Sequence, residues 1–430
     1  MAETRPYKVL VLDNDELTGS YMIVFAMLQI LGQLVKPGSA FCSMVQSSLE
    51  LQRLPHTVND AEAFILKSFG RTTGLLACPN GLCRPDMQQF LLYAIELRSQ
   101  KLIDSIVLYT AASDGKAGIA LDLFMTNMLA ASIGVDPDTL FDDFITRDKQ
   151  LIDAPNFEKT FNTPAFRKQR YGNDDPNLKI SLVPARTMYE KWFPNVPREM
   201  LATLPNMALR KSMVYVRTRF ALKRNLDPLA QIPVQILMFD DQPQGITELW
   251  IANVSAKRIG DYRPVESATK TVGVPAYFFT PTLDQAVGLW YHCLINLSME
   301  LRNPSIGGML TTLPVQTDTM GEVSMLDYVR SVFASFLNRA PRSTKNDRAV
   351  FDTMLPSLKT FVGDAATSIP LPPVPSSPYE WFEASNVETA HALLNVTGVD
   401  ETQSLFGGHV QVLETSFDLR NMLYDSLALK

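Results

Sequence analysis

KVLVLDNDELT, the stretch from Lys8 to Thr18, sets a short β-branched apolar run directly against two acids spaced by one residue. Such a run, without polar alternation, reads as a strand buried on both faces, as in the centre of a parallel sheet. Its abrupt end at Asp13 delivers a carboxylate to the strand's carboxyl end. Two other runs have the same form. Ile103 to Tyr109 (IDSIVLY) stops at Thr110 and a small-residue turn, Ala111-Ala112-Ser113, and Val234 to Phe239 (VQILMF) stops at Asp240 and Asp241.

Helix-like segments separate these runs. Asp86 to Gln100 carries Met87, Phe90, Leu91, Ala94 and Leu97 on one face, and Ala117 to Ile133 repeats the pattern. Alternation of this kind predicts an α/β chain with a Rossmann-like, mainly parallel central sheet. In such sheets ligands bind beyond the carboxyl ends of the strands, so the three polar strand ends describe one site.

The α/β unit is expected to span residues 1–302, closing with a helix from Leu283 to Leu301. Two stretches look inserted into it, at about 38–76 and 149–205, where insertions usually shape substrate access. Residues 303–430 read as a C-terminal extension. Within it Met325 to Leu337 looks helical, Ser368 to Pro378 (SIPLPPVPSSP) looks polyproline-like, and Tyr379, Trp381 and Phe382 form an aromatic cluster.

With 430 residues, 39 basic and 45 acidic side chains and a net charge of −6, the composition is globular and argues against direct nucleic-acid binding. No secretory leader is visible. The longest apolar stretch, Met22 to Leu34, is too short to span a bilayer and carries Gln29 and Gln33. A soluble, intracellular protein in a reducing compartment is the expectation, and four cysteines do not make a disulfide framework. Cys78 and Cys83 form a C-x4-C pair with no second pair at zinc-site spacing.

The strand-end residues suit phosphoryl transfer through a covalent intermediate, which needs a nucleophile, a general acid and positive charge on the phosphate oxygens. Asp13 is the candidate nucleophile and Asp15 the candidate acid and base. Carboxylates about 4 Å apart repel by about 4 kcal/mol at an effective dielectric of 20, so Asp240 and Asp241 joining them demands a cation. Mg2+ is the expected one, with Asp13, Asp15 (through its carbonyl), Asp240 and Asp241 at the metal end. Thr110 and its turn are expected to hydrogen-bond a phosphate oxygen. The lysine is Lys211, opening the run KSMVYVRTRFALK, or Lys223 at its far end; Lys211 is preferred because it stands where the helix points at the strand ends.

Taken in order, KVLVLDNDELT, Thr110, a helix-opening lysine and Phe239-Asp240-Asp241-Gln242-Pro243 resemble the four motifs of haloacid-dehalogenase-type phosphatases. The likeness is greatest to the branch acting on the RNA polymerase II C-terminal domain, also called NLI-interacting-factor-like. That branch has an Arg-Pro pair opening the helix before the second motif strand, matched by Arg84-Pro85. A threonine-alanine-serine turn is matched by Thr110 to Ser113, and a Phe-x-x-x-x-Arg segment by Phe141 to Arg147. Leu17 stands where the branch usually has threonine or valine, and Asp241 where it usually has asparagine.

The resemblance implies a phosphoserine or phosphothreonine protein as substrate. The Asp-Asn-Asp-Glu opening with Thr18-Gly19-Ser20-Tyr21 resembles versions encoded by large DNA viruses such as iridoviruses. It therefore also implies viral or virion partners, met through the C-terminal extension, and a place in the host cell or the virion. The rival expectation is a phosphatase fold used as a structural or virion-associated interaction module with weak or no activity. Retention of four mutually repelling acids at one edge speaks for the enzyme.

Overall fold

A computed structural model describes residues 5–35, 38–54, 58–77, 81–112, 120–171, 175–181, 211–226, 234–243, 246–247, 249–253, 258–262, 269–279, 281–303, 305–306, 314–317, 321–338 and 348–373. Cys78, Ser113, residues 182–205 of the second expected insertion, and the cluster Tyr379, Trp381 and Phe382 lie outside them.

In chain order the strands are β1 (Tyr7–Leu12), β2 (Ser105–Tyr109), β3 (Asp143–Ile145), β4 (Leu178–Ser181), β5 (Lys211–Ser212), β6 (Val234–Asp240), β7 (Ile246–Thr247), β8 (Leu249–Asn253), β9 (Arg258–Tyr262), β10 (Thr269–Gly273), β11 (Pro314–Thr317) and β12 (Gly321–Ser324). Five of them make one sheet in the order β10-β6-β1-β2-β3, every pair parallel. Leu12 stands beside Leu108 of β2 and Phe239 of β6, so the three expected runs end level with one another. The chain moves one way from β1 to β2 and β3 and the other way to β6 and β10. The carboxyl end of β1 is therefore the topological switch point, where an open α/β sheet leaves a crevice.

The helices are α1 (Met22–Leu34), α2 (Ala40–Leu51), α3 (Val58–Ala77), α4 (Met87–Ser99), α5 (Ala120–Ile133), α6 (Pro137–Leu140), α7 (Arg147–Phe161), α8 (Pro164–Tyr171), α9 (Met213–Lys223), α10 (Leu283–Glu300), α11 (Met325–Leu337) and α12 (Leu355–Val362). Two apolar clusters lie on opposite faces of the sheet, because successive strand side chains alternate. Leu10, Leu12, Leu108, Leu237 and Phe239 join one cluster with residues of α1 to α5, α10, α11 and α12. Val9, Val11, Val107, Ile236 and Met238 join the other with Ala154 of α7 and Met213, Val216 and Phe220 of α9. Val9 to Leu12 are all fully buried, which is what an unbroken apolar run achieves when both faces are covered. Each such side chain contributes about 1.5–3 kcal/mol relative to exposure.

The segment 38–76, read from sequence as an insertion, forms α2 and most of α3. Phe41, Val45, Leu49, Ile65 and Phe69 are buried in the same cluster as Leu10 and Leu237, so the segment is part of the helical layer. Residues 325–369 do not stand apart either. Val329, Phe333, Met354, Leu358 and Ala366 are buried in that cluster, Lys8 Nζ donates to Phe361 O (2.9 Å), and the Tyr93 hydroxyl donates to Ala366 O (2.7 Å). Among the described residues no helix is long and apolar enough to cross a membrane, and α1 is buried in the core. Cys83 is disulfide-bonded while Cys42 and Cys293 are free, a cross-link the sequence reading did not call for.

Glycines set how closely α3 meets α5. A Cβ on Gly70 would lie 2.5 Å from Phe124 O, and one on Gly74 would lie 2.0 Å from Met128 O. Both neighbours are backbone atoms of α5, which move only if the helices separate. Gly74→Ala is expected to destabilise the chain by about 1–3 kcal/mol through overpacking. Urea denaturation measures it, and an unchanged midpoint would mean that the two helices part freely.

Candidate active site

Asp13 directly follows β1. Its N–H donates to Phe239 O (3.0 Å), which carries the β1–β6 pairing one residue beyond the strand and fixes where the carboxylate emerges. Asp240 ends β6, accepts from Gln242 N at 2.7 Å through Oδ1, and through its own carbonyl from Val274 N at 2.9 Å. The two neighbouring strands thus present two carboxylates at one edge. Asp13 is 6% and Asp240 2% exposed.

Lys211 lies between them. Its Nζ is 2.5 Å from Asp13 Oδ1 and 2.6 Å from Asp240 Oδ2. Local sequence explains the placement. Ser212 caps α9 by accepting from Tyr215 N at 3.2 Å, so the helix starts one residue after the cap and Lys211 is left in β5, paired with Ile246 of β7. The Ser212 N–H donates to the Tyr109 hydroxyl (3.2 Å) at the end of β2, and that hydroxyl donates to Gln150 of α7. Burial alone lowers the Lys211 pKa, but Asp13 and Asp240 outweigh it and hold the ammonium protonated above its ordinary range.

Carboxylate oxygens of Asp13, Asp240 and Asp241 lie within 4.8 Å of one another. Burial pushes the Asp13 carboxyl upward, Lys211 opposes that, and Asp240 and Asp241 add to it. One ammonium balances one carboxylate, so the other negative charges of this group require protons or a further cation. The donors are all hard oxygens, the set that suits a divalent ion such as Mg2+ rather than a thiolate-bound metal.

Asp15 follows in a tight turn closed by Thr18 N donating to Asn14 O (3.2 Å), with the Thr18 hydroxyl on the same carbonyl at 2.8 Å. Asp15 Oδ1 accepts from Tyr21 N at 3.0 Å. Burial is the main cause that raises its pKa to about 6, with the Asp241 charge adding and the Tyr21 N–H opposing. Thr110 stands two residues beyond the Leu12–Leu108 pair on the same edge, buried, with its N–H on Ile145 O (2.9 Å) and its Oγ1 accepting from Ala112 N (3.0 Å). The hydroxyl therefore organises the turn that follows β2.

The structure thus brings Asp13, Lys211, Asp240 and Asp241 together, with Asp15 in the adjoining turn and Thr110 on the neighbouring strand end. Lys223, the alternative lysine, is elsewhere: its Nζ pairs with Asp143 Oδ2 at 2.8 Å, beside Arg219 at 2.5 Å from the same oxygen. Sequence reasoning missed one contributor, Glu16, and named another, Arg84, only as part of the Arg-Pro pair that opens a helix. Glu16 adds a further carboxyl, raised to about 8 by burial first and then by Asp15 and Asp241. Arg84 is 1% exposed and holds the turn by its backbone, donating to Leu17 O (2.5 Å), Glu16 O (2.6 Å) and Pro275 O (2.6 Å). The Arg84-Pro85 dipeptide was the visible signal, but its carbonyl partners are far off in sequence.

These shifts set a pH dependence. A carboxyl whose folded pKa lies above its unfolded value stabilises the fold below the unfolded value and loses that contribution as pH rises through the folded one. For Asp15 and Glu16 the loss runs from their ordinary values, 3.8 and 4.5, up to about 6 and about 8. In EDTA the melting temperature is expected to fall between pH 5 and 8, and added Mg2+ to raise it more at pH 8 than at pH 5 (both about). Differential scanning fluorimetry reads this; a Mg2+ effect independent of pH would separate the ion from these carboxyls.

No family model matches the chain, and neither curated proteins nor solved structures give a match to it.

Proposed function

We propose that this chain is a Mg2+-dependent phosphomonoesterase of the haloacid-dehalogenase type, working through an aspartyl-phosphate on Asp13. The observation that carries the reading is the ion-paired arrangement at the switch point: Asp13 at the end of the central strand, Lys211 bridging it to Asp240, and Asp241 within 4.8 Å. A nucleophilic carboxylate with a fixed ammonium beside it can approach a phosphate dianion, which three bare carboxylates would repel.

In the proposed reaction an Asp13 carboxylate oxygen attacks phosphorus as the bond to the leaving oxygen breaks. Asp15, held near neutrality at about 6, gives that oxygen its proton. Asp15 then takes a proton from water, whose oxygen attacks the aspartyl-phosphate and returns Asp13 and inorganic phosphate. Lys211 keeps Asp13 oriented and offsets charge on the phosphate oxygens. The turn after Thr110 offers backbone N–H groups at the same edge. Asp13, Asp240 and Asp241 would hold Mg2+, which supplies charge neutralisation at the phosphate.

The substrate class we favour is a phosphoserine or phosphothreonine protein, on the strength of the motif resemblance. The test is hydrolysis of p-nitrophenyl phosphate, then of phosphopeptides, with Mg2+ and with EDTA. Turnover that needs Mg2+, with acid-stable, hydroxylamine-labile phosphate on the protein, is the expected result. A folded chain inert towards all of these would overturn the enzyme and favour a non-catalytic scaffold.

A further inference from the structure

Lys211 bridges Asp13 and Asp240, yet the strand that holds it is not part of the central sheet. β5 pairs with β7 in a two-stranded sheet of its own, whereas Asp13 and Asp240 stand at the ends of β1 and β6 in the five-stranded one. Met213, Val216 and Phe220 of α9 pack onto the sheet face, but apolar packing is non-directional and does not by itself fix an ammonium between two carboxylates. A hydrogen bond has the direction that packing lacks.

Tyr109 supplies one. It is the last residue of β2, fully buried, and its hydroxyl accepts at 3.2 Å from Ser212 N, the nitrogen of the peptide bond that follows Lys211. A backbone N–H can only donate, so the hydroxyl proton must point elsewhere, and the Gln150 side chain accepts it. Gln150 is itself buried, one turn into α7, whose first residue, Arg147, donates its N–H to Ala112 O (3.2 Å) in the turn that Thr110 organises. One strand end therefore holds the Lys211 backbone through Tyr109 and begins the Thr110 turn at the next residue. A phenylalanine would fill the apolar cluster around Val107 and Tyr215 equally well, so packing does not account for the hydroxyl. Burying a hydroxyl is unfavourable unless it is bonded, and here its bonds join the Lys211 strand to β2 and α7.

We propose that Tyr109, with its hydroxyl oriented by Gln150, is a positioning residue that sets the Lys211 ammonium against the Thr110 turn, so that both meet one phosphate group. The role rests on the reading of Asp13 as nucleophile and Lys211 as the cation beside the phosphate. It differs from holding the fold together. A small displacement of the ammonium leaves the ion pairs formed but weakens contacts made only in the transition state, and a misplacement of about 1 Å can cost about 100-fold in rate.

The test compares full-length wild type, Tyr109→Phe, Lys211→Met and the double variant on p-nitrophenyl phosphate with Mg2+, with urea denaturation of each under assay conditions. Tyr109→Phe is expected to lower kcat about tenfold while KM changes less than about twofold. It should also weaken inhibition by orthovanadate, which mimics five-coordinate phosphorus, more than inhibition by inorganic phosphate. In the Lys211→Met background the same substitution is expected to lower kcat by less than about twofold, because residues that act through one another are not additive. Should Lys211→Met not fold, the ratio of the two inhibition constants decides alone, since an inhibition constant does not depend on how much of the enzyme is folded. An unchanged kcat in Tyr109→Phe, equal losses in both backgrounds, or an unmoved vanadate-to-phosphate ratio would overturn the role and leave the phosphatase standing. A folded wild-type chain without turnover would overturn the phosphatase reading itself, and this role with it.

Discussion

Asp13→Asn is expected to lower Mg2+-dependent phosphate ester hydrolysis by roughly 10⁴-fold or more, the scale on which removal of a covalent nucleophile acts. The backbone N–H stays on Phe239 O, and the amide matches the carboxylate in shape and so remains within reach of Lys211, but it presents no anionic oxygen to phosphorus. Stability should move the other way. Asp13 is a nearly buried acid next to Asp240 and Asp241, and Lys211 keeps Asp240 at 2.6 Å as a partner when Asp13 is neutralised. Removing one of several crowded negative charges is therefore expected to leave the melting temperature in EDTA unchanged or raised. A large rate loss without a stability loss identifies chemistry rather than folding as the cause. Initial rates, protein-bound phosphate and thermal denaturation on one preparation decide it, and activity persisting in Asp13→Asn would assign the nucleophile elsewhere.

The strands that build the site were legible because their signal is local. Lys8 to Leu12, Ile103 to Tyr109 and Val234 to Phe239 are short, apolar and ended by polar residues, and they appear as β1, β2 and β6 with boundaries shifted by two residues at most. The order β10-β6-β1-β2-β3 puts all three side by side in the centre of the sheet, which is why their ends meet. The helices of segment 38–76 were not legible. Their apolar faces meet α5, α10 and the sheet through long-range packing, and the close approach at Gly70 and Gly74 depends on a partner helix some fifty residues away. The choice of Lys211 over Lys223 followed from where a helix start must point, and the observed ion pairs fall that way. The place of Glu16 and the task of Arg84 lay beyond reach for another reason. Nothing in DNDEL announces a left-handed backbone at Glu16, and a buried arginine satisfied by three carbonyls leaves no charge pattern in the chain.

Lys211→Met carries the largest expected effect on stability. The side chain is 7% exposed and its ammonium serves two buried carboxylates at 2.5 and 2.6 Å. Breaking a buried ion pair by removing one partner typically costs about 3–5 kcal/mol, because the charge left behind has neither water nor counter-ion. Here two are left, facing each other. Without the ammonium, burial and the Asp240 charge act on Asp13 unopposed, so its pKa, already raised, rises further. A raised folded pKa means that stability is present at low pH and lost as pH rises, so the deficit of Lys211→Met should be small near about pH 5 and largest near about pH 8 in EDTA. Mg2+ should narrow the gap at about pH 8 by supplying positive charge to the same oxygens. Hydrolysis should fall roughly 10²–10³-fold even where the variant is folded, as expected when one preorganised positive group is withdrawn from the reacting phosphate. Lys223→Met is the control. Lys223 is 44% exposed and its partner Asp143 keeps Arg219, so a change of about 0–1 kcal/mol is expected, with activity intact. Urea denaturation of both variants at the two pH values, with EDTA or Mg2+, separates the cases. If Lys211→Met were as stable as the wild type in EDTA at the higher pH, the bridging ammonium would not be what holds these carboxylates together.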